Sequence, residues 1–74
     1  MLSLTDAVLA CLEGPERQHI SSVSVSEDNI LCIIADSPAW ASRLRFHNDR
    51  MLEAARQHGI HAARCRVKVN PHQA

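Results

Sequence analysis

Hydrophobic and polar residues alternate in two segments of the chain, and an unbroken apolar run lies between them. In "HISSVSVS" (19–26) the valines alternate with serines, and in "ARCRVKVN" (63–70) a cysteine and two valines alternate with cations. This period of two predicts half-buried β-strands. The run "ILCIIA" (30–35) is apolar on both faces and predicts a central strand. "SEDN" (26–29) supplies turn residues, so the first two strands are predicted to form a hairpin.

The N-terminal segment has the spacing of an amphipathic helix. Leu4, Val8 and Leu12 recur four residues apart, which places them on one helix face. The Gly-Pro pair at 14–15 is predicted to end this helix, because neither residue favours its continuation.

A second helix is predicted within "DSPAWASRLRF" (36–46), whose first two residues can cap it and whose proline suits the first turn. Trp40 and Leu44 are four residues apart, so both are predicted to pack onto the sheet. Arg43 and Arg45 flank Leu44 and are predicted to lie on the outside of the helix.

A third helix is predicted from about residue 49 to 58, with Asn48 as its cap and Gly59 at its end. Its predicted inner face is Met51, Leu52 and Ala55. The element order is therefore α-β-β-α-α-β. This order predicts one α+β domain over residues 1–74, with two layers and a three-stranded sheet that carries its helices on one face.

Composition adds a charge asymmetry to this picture. The chain has 74 residues, 46% of them hydrophobic, and its eight basic residues balance eight acidic ones. Residues 1–36 contain six acidic residues and one basic one, whereas residues 37–74 contain seven basic and two acidic ones. Such asymmetry favours an anionic partner for the C-terminal half.

The three cysteines favour a reducing compartment. They are widely spaced, without a C-x-x-C motif, and no secretory signal or membrane-spanning run is recognised in the sequence. They are therefore predicted to be small buried thiols, and the protein is predicted to be cytoplasmic.

The final strand carries the best candidate for a binding site. Arg64, Arg66 and Lys68 fall on its polar face at intervals of about 7 Å, similar to the phosphate spacing of an extended single strand. Arg43 and Arg45 are predicted to extend this basic patch. Alternatively, the row is a solvated face that keeps an edge strand from pairing with other chains. Because stacking aromatics are nearly absent, any DNA binding is expected to be electrostatic and salt-dependent.

No metal, cofactor or catalytic centre is predicted. His58, His61 and Cys65 are residue types that ligate zinc, but a fourth ligand at useful spacing is missing. The serines lack a G-x-S-x-G context, and with two glycines in the chain no glycine-rich phosphate loop is possible. The protein is therefore predicted not to be an enzyme.

Most of the chain resembles the N-terminal domain of the DciA family of bacterial proteins. The resemblance spans roughly residues 19–71. It rests on a strand, a W-A-x-x-L-R motif, a leucine-bearing helix and a last strand closing at proline, here Trp40, Ala41, Leu44, Arg45, Leu52, Val67, Val69 and Pro71. This resemblance implies a type II KH-like fold. It also implies interaction with the DnaB-type replicative helicase and with DNA, at the replication fork in the nucleoid, without ATPase activity.

The chain departs from these relatives in two places. "RFHN" (45–48) contains no glycine, so the GxxG clamp of KH domains is missing and DNA contact must use cationic side chains. Many relatives also continue beyond Pro71 with a basic extension, so this chain is expected to be a short form.

The predicted function is thus that of a replication accessory module, which binds the helicase through a surface that the sequence does not assign. It is expected to bind single-stranded or fork DNA weakly. Two alternatives remain: a protein-interaction module that does not bind DNA, and an RNA- or ribosome-associated KH-like factor.

Overall fold

A computed structural model describes residues 3–12 and 14–70. Three α-helices, one 3₁₀ helix and three strands make up this part of the chain. They are, in order, α1 (Leu4–Ala10), the 3₁₀ helix (Gly14–His19), β1 (Ile20–Val25), β2 (Ile30–Ala35), α2 (Pro38–Arg45), α3 (Asn48–Gln57) and β3 (Arg64–Val69). The predicted α-β-β-α-α-β order is confirmed, and the 3₁₀ helix is an addition to it.

The three strands form a mixed sheet in the order β1-β2-β3. The apolar run is central, as predicted: β2 pairs antiparallel with β1 and parallel with β3. A parallel pair needs a crossover connection, which α2 and α3 provide. The sheet and its helices make an α+β arrangement consistent with a small KH-like fold.

The core lies between one face of the sheet and the helices. The strand register places Val23 opposite Ile33 and Ile33 opposite Val67, so alternate residues of all three strands point towards the helices. The buried residues are Val8, Leu12, Leu31, Ile33, Ala35, Ala41, Leu44, Met51, Ala55, Ala62 and Val67. The opposite face of the sheet is not covered by these helices.

In two of the connections between elements, the β1–β2 turn and the end of α3, the backbone has a residue with positive φ. Asn29, in the β1–β2 turn, has φ +61°, and the Ser26 hydroxyl in the same turn accepts a bond from the N–H of Ile30 at 3.3 Å. Asn tolerates this left-handed conformation because its short side chain bonds locally. Gly59 has φ +94° directly after α3, where a Cβ would be strained.

Two details of the helix predictions are wrong. Trp40 does not belong to the buried core; Ala41 and Leu44 form the inner face of α2 instead. Asn48 is the first residue of α3 rather than its cap, and His47 precedes it without a capping side-chain bond. The predicted closure of the last strand at Pro71 lies outside the described residues.

Candidate nucleic-acid interface

The alternation of β3 separates its apolar residues from its cations as the sequence predicts. Cys65 and Val67 point towards the helices, whereas Arg64, Arg66 and Lys68 are exposed on the opposite face. In register they lie beside Ile30, Cys32 and Ile34 of β2. Within the described chain, no acidic side chain lies within ion-pair distance of these three cations. We call these three cations the β3 row.

The open face of the sheet has three chemically distinct rows. On β1, Ser22 and Ser24 are exposed opposite Ile34 and Cys32. The residues of β2 on this face are apolar and half-buried, and the β3 row forms the far side. The face therefore offers hydroxyl groups, a shallow apolar strip and a line of positive charge.

Arg45 reaches the β3 row from the edge of the sheet. Its Nη2 donates a hydrogen bond to the carbonyl oxygen of Val67 at 3.3 Å. That carbonyl lies on the free edge of β3, because neighbouring residues on a strand direct their peptide groups to opposite sides. The guanidinium thus lies beside the peptide that joins Val67 to Lys68, and it extends the line of positive charge around the edge.

Arg43 has a different environment from Arg45. Two residues along a helix correspond to a rotation of about 200°, so the two side chains leave α2 on different sides. The Arg43 guanidinium lies over the Trp40 ring, 5.3 Å from its centroid. Of the five cations assigned to DNA contact by the sequence, four therefore gather at β3 and Arg43 lies apart.

The Trp40 ring belongs to a polar cluster that was not predicted from the sequence. It stacks on the His19 ring with centroids 3.9 Å apart and an interplanar angle of 9°. His19 Nδ1 in turn lies 2.8 Å from Asp36 Oδ2. The hairpin brings His19 and Asp36 together, since the N–H of Asp36 donates to the carbonyl of His19 at 2.9 Å. Regular pairing counted back from the turn would place Ile20 opposite Asp36, and the register shift between Ile20 and Ser22 brings His19 there instead.

The two-residue turn between α2 and α3 exposes an aromatic ring. Phe46 is 86% exposed, in a chain that has one Phe and one Trp. His47, the other residue of the turn, points its Nε2 towards Glu16, 4.0 Å from the carboxylate. This turn lies within residues 45–48, the segment that lacks the glycines of the GxxG clamp of KH domains. The exposure of this ring was not predicted from the sequence.

The zinc-type residues of the sequence, His58, His61 and Cys65, do not form a metal-binding group in the described part of the chain. Cys65 faces the helices, and burial, followed by the negative potential of the Cys32 and Cys11 thiolates, raises its pKa to about 11. Among the described residues, no three His, Cys, Asp or Glu side chains are grouped closely enough to hold a metal ion. Likewise, none of the helices described is long and apolar enough to cross a membrane.

A comparison with protein families gives a match over most of the sequence. The family model described as "Dna[CI] antecedent, DciA" matches residues 2–69, which is nearly the whole chain. Comparison with curated proteins and with solved structures gave no match. The match extends the resemblance carried by Trp40, Ala41, Leu44 and Arg45 to the N-terminal helix. The chain therefore belongs to the DciA family, whose members load or assist the DnaB-type replicative helicase.

Proposed function

We propose that this chain is one KH-like, non-enzymatic accessory module of DNA replication, which binds the DnaB-type helicase and weakly binds single-stranded or fork DNA. Family membership supports a role in helicase loading. The proposed DNA contacts are Arg43, Arg45, Arg64, Arg66 and Lys68. The observation that carries this proposal is the exposure of the β3 row on an uncovered sheet face without acidic partners among the described residues. The protein would act at the nucleoid in the cytoplasm.

The spacing of the row suits a polyanion. Alternate residues of a strand are about 7 Å apart, so consecutive cations can each meet a consecutive phosphate of an extended single strand. Because β3 is at the edge of the sheet, a bound strand can continue past the row to Arg45. Arg43 is separated from this line and would contribute through long-range attraction.

The row is not equally positive along its length. The turn that carries Glu27 and Asp28 lies beside the start of β3, since the N–H of Ala63 donates to the Asn29 carbonyl at 2.7 Å. These acidic residues lower the potential near Arg64, the first cation of the row. Phosphate contact should therefore depend most on the end of the row that Arg45 adjoins.

The DNA contact is tested by measuring affinity as a function of salt. Fluorescence anisotropy with labelled single-stranded and forked DNA would compare the wild type with the variant Arg66→Ala/Lys68→Ala. The control variant Arg17→Ala/Arg50→Ala has the same net charge, but it removes two exposed cations that belong to helices rather than to the β3 row. Each phosphate contact contributes about 0.7 to the slope of log affinity against log salt for a single strand. Loss of two contacts should reduce the slope by about 1.4, whereas the control should retain most of it.

Helicase binding needs a separate measurement. A pull-down with the DnaB-type helicase should retain the wild-type chain. If the wild type binds the helicase but no DNA even at low salt, the DNA part of the proposal is wrong and a pure protein-interaction module remains. If RNA of the same sequence binds much more tightly than DNA, an RNA-associated role replaces the replication role.

A further inference from the structure

The exposed ring of Phe46 is held in a rigid turn. The Phe46 N–H donates to the Arg43 carbonyl at 3.1 Å, and the His47 N–H donates to the Leu44 carbonyl at 2.9 Å. The His47 carbonyl then accepts from the N–H of Met51 at 2.9 Å, which starts α3. Because the backbone is fixed in this way, little ordering is needed when a ligand meets the ring.

Packing does not account for the position of this ring. Phe46 follows Leu44 by two residues, and Leu44 is fully buried, so Phe46 leaves α2 on the side away from the core. A large apolar side chain that is 86% exposed in a domain with a thin core adds nothing to folding. Exposed aromatic rings beside positive charge are typical of surfaces that bind nucleic acid or protein.

The charge around the ring favours a nucleic-acid strand. Arg45 precedes the ring, and its guanidinium lies at the free edge of β3 beside Lys68. Asp49 is the one acidic residue within three positions of Phe46 in the sequence, and in space the Glu16 carboxylate lies 4.0 Å from His47 Nε2. The exposed ring thus follows Arg45 in sequence, and the Arg45 guanidinium adjoins the end of the β3 row. A single strand offers the matching sequence of an unpaired base and successive phosphates.

We propose that the Phe46 ring is a stacking platform for one unpaired base, and that Arg45 holds an adjacent phosphate, so that the domain prefers single-stranded to duplex DNA. This inference rests on the proposed DNA binding and adds its specificity. A duplex keeps its bases stacked inside and can engage only the cations, whereas a single strand engages the ring as well.

The test separates the base from the phosphates. Affinities of the wild type, Phe46→Ala, Phe46→Leu and Phe46→Trp would be measured for a single strand, for a duplex, and for a single strand in which abasic sites replace the bases. Phe46→Ala should weaken binding of the intact single strand by about 5-fold to 150-fold, which is the range for loss of one base–aromatic stack. Phe46→Leu should weaken it similarly, and Phe46→Trp should retain it.

Two comparisons make the result specific to stacking. Abasic sites should weaken binding to the wild type but not to Phe46→Ala, because the variant has no ring to lose contact with. Duplex affinity and the salt slope should be the same in all four proteins, since the cations are unchanged. Circular dichroism should confirm that each variant is folded, as expected for a residue outside the core.

Failure of this inference can be distinguished from failure of DNA binding itself. If the wild type binds single strands with a steep salt slope and Phe46→Ala binds equally well, stacking is refuted and the proposed DNA binding stands. If the wild type does not bind DNA, both are refuted. If Phe46→Ala keeps DNA affinity but loses the helicase in a pull-down, and Phe46→Leu keeps both, the ring is a hydrophobic anchor for protein and the stacking proposal is wrong.

Discussion

Leu44 and Phe46 are two apolar residues separated by one position, and the structure gives them opposite roles. Leu44 is fully buried and Phe46 is 86% exposed. Truncation of each to alanine therefore tests both how α2 packs and whether Phe46 is free for a ligand. We expect Leu44→Ala to destabilise the domain strongly and Phe46→Ala to leave its stability nearly unchanged.

The magnitudes follow from burial. Replacement of a buried Leu by Ala typically costs about 2–5 kcal/mol, which combines lost transfer free energy with the cavity left behind. At about 0.05–0.15 kcal/mol per residue, a chain of 74 residues has a total stability of roughly 4–11 kcal/mol. Leu44→Ala should thus remove a large fraction of the free energy of unfolding. An exposed residue changes it by no more than about 0.5 kcal/mol.

Urea denaturation is the appropriate assay, because the chain has one tryptophan as a fluorescent reporter. Trp40 lies in α2 and stacks on His19, so its fluorescence should change when α2 leaves the sheet. The urea midpoint should fall sharply for Leu44→Ala and remain at the wild-type value for Phe46→Ala, with similar slopes. A loss above about 1 kcal/mol in Phe46→Ala would show that the ring is packed, which would refute its availability as a binding platform.

Two further predictions concern the same domain. Ser37 caps α2, since its hydroxyl accepts a hydrogen bond from the N–H of Trp40 at 3.4 Å. Ser37→Ala should therefore lower the free energy of unfolding by about 0.5–1 kcal/mol in urea titrations, whereas the control Ser42→Ala, at an exposed position within α2, should raise it slightly. Equal effects of the two substitutions would contradict the capping role. The pKa of Cys65 is raised from 9.0 to about 11, so the folded state holds this proton more tightly than the unfolded state and stability should decline as pH rises from about 9 to about 11. Urea midpoints across this range should decline less in Cys65→Ala, and parallel curves would show that burial of this thiol does not perturb it.

The strands were predictable because their information is local. An alternation with period two assigns both the strand and the face of each side chain, so the exposure of the β3 row followed from six consecutive residues. The turn at Asn29 and the helix end at Gly59 were similarly local, because each requires a residue that tolerates positive φ.

The contacts that depend on three-dimensional detail were not predictable. A register shift between Ile20 and Ser22 moves the end of β1 by one residue, and this places His19 rather than Ile20 opposite Asp36. The His19 ring then provides a stacking partner for Trp40 outside the core. No spacing in the sequence carries this information, since it depends on a bulge and on a 3₁₀ helix that has no hydrophobic period.

The residues of the candidate site likewise include some that local sequence predicts and some that depend on tertiary contacts. The β3 row lies within one element and was predicted from its alternation. The position of Arg45 at the strand edge and the exposure of Phe46 both depend on how α2 ends against β3 and how α3 departs from it. The pattern of apolar positions assigns Trp40 and Leu44 to one face of α2 but does not say on which side Phe46 lies.

The sign of the charges distinguishes DNA binding from simple protection of the sheet edge. An edge strand is protected from pairing with other chains by charged side chains in general, and Arg45 adds to that protection by occupying the Val67 carbonyl. Protection alone can use charges of either sign, with lysine the commonest choice, and it does not require that all of them be basic. All three charged residues on the open face of the sheet are basic, and their neighbours there on β1 and β2 are serines or apolar residues. The uniform sign, more than the number of charges, therefore favours an anionic ligand for this face.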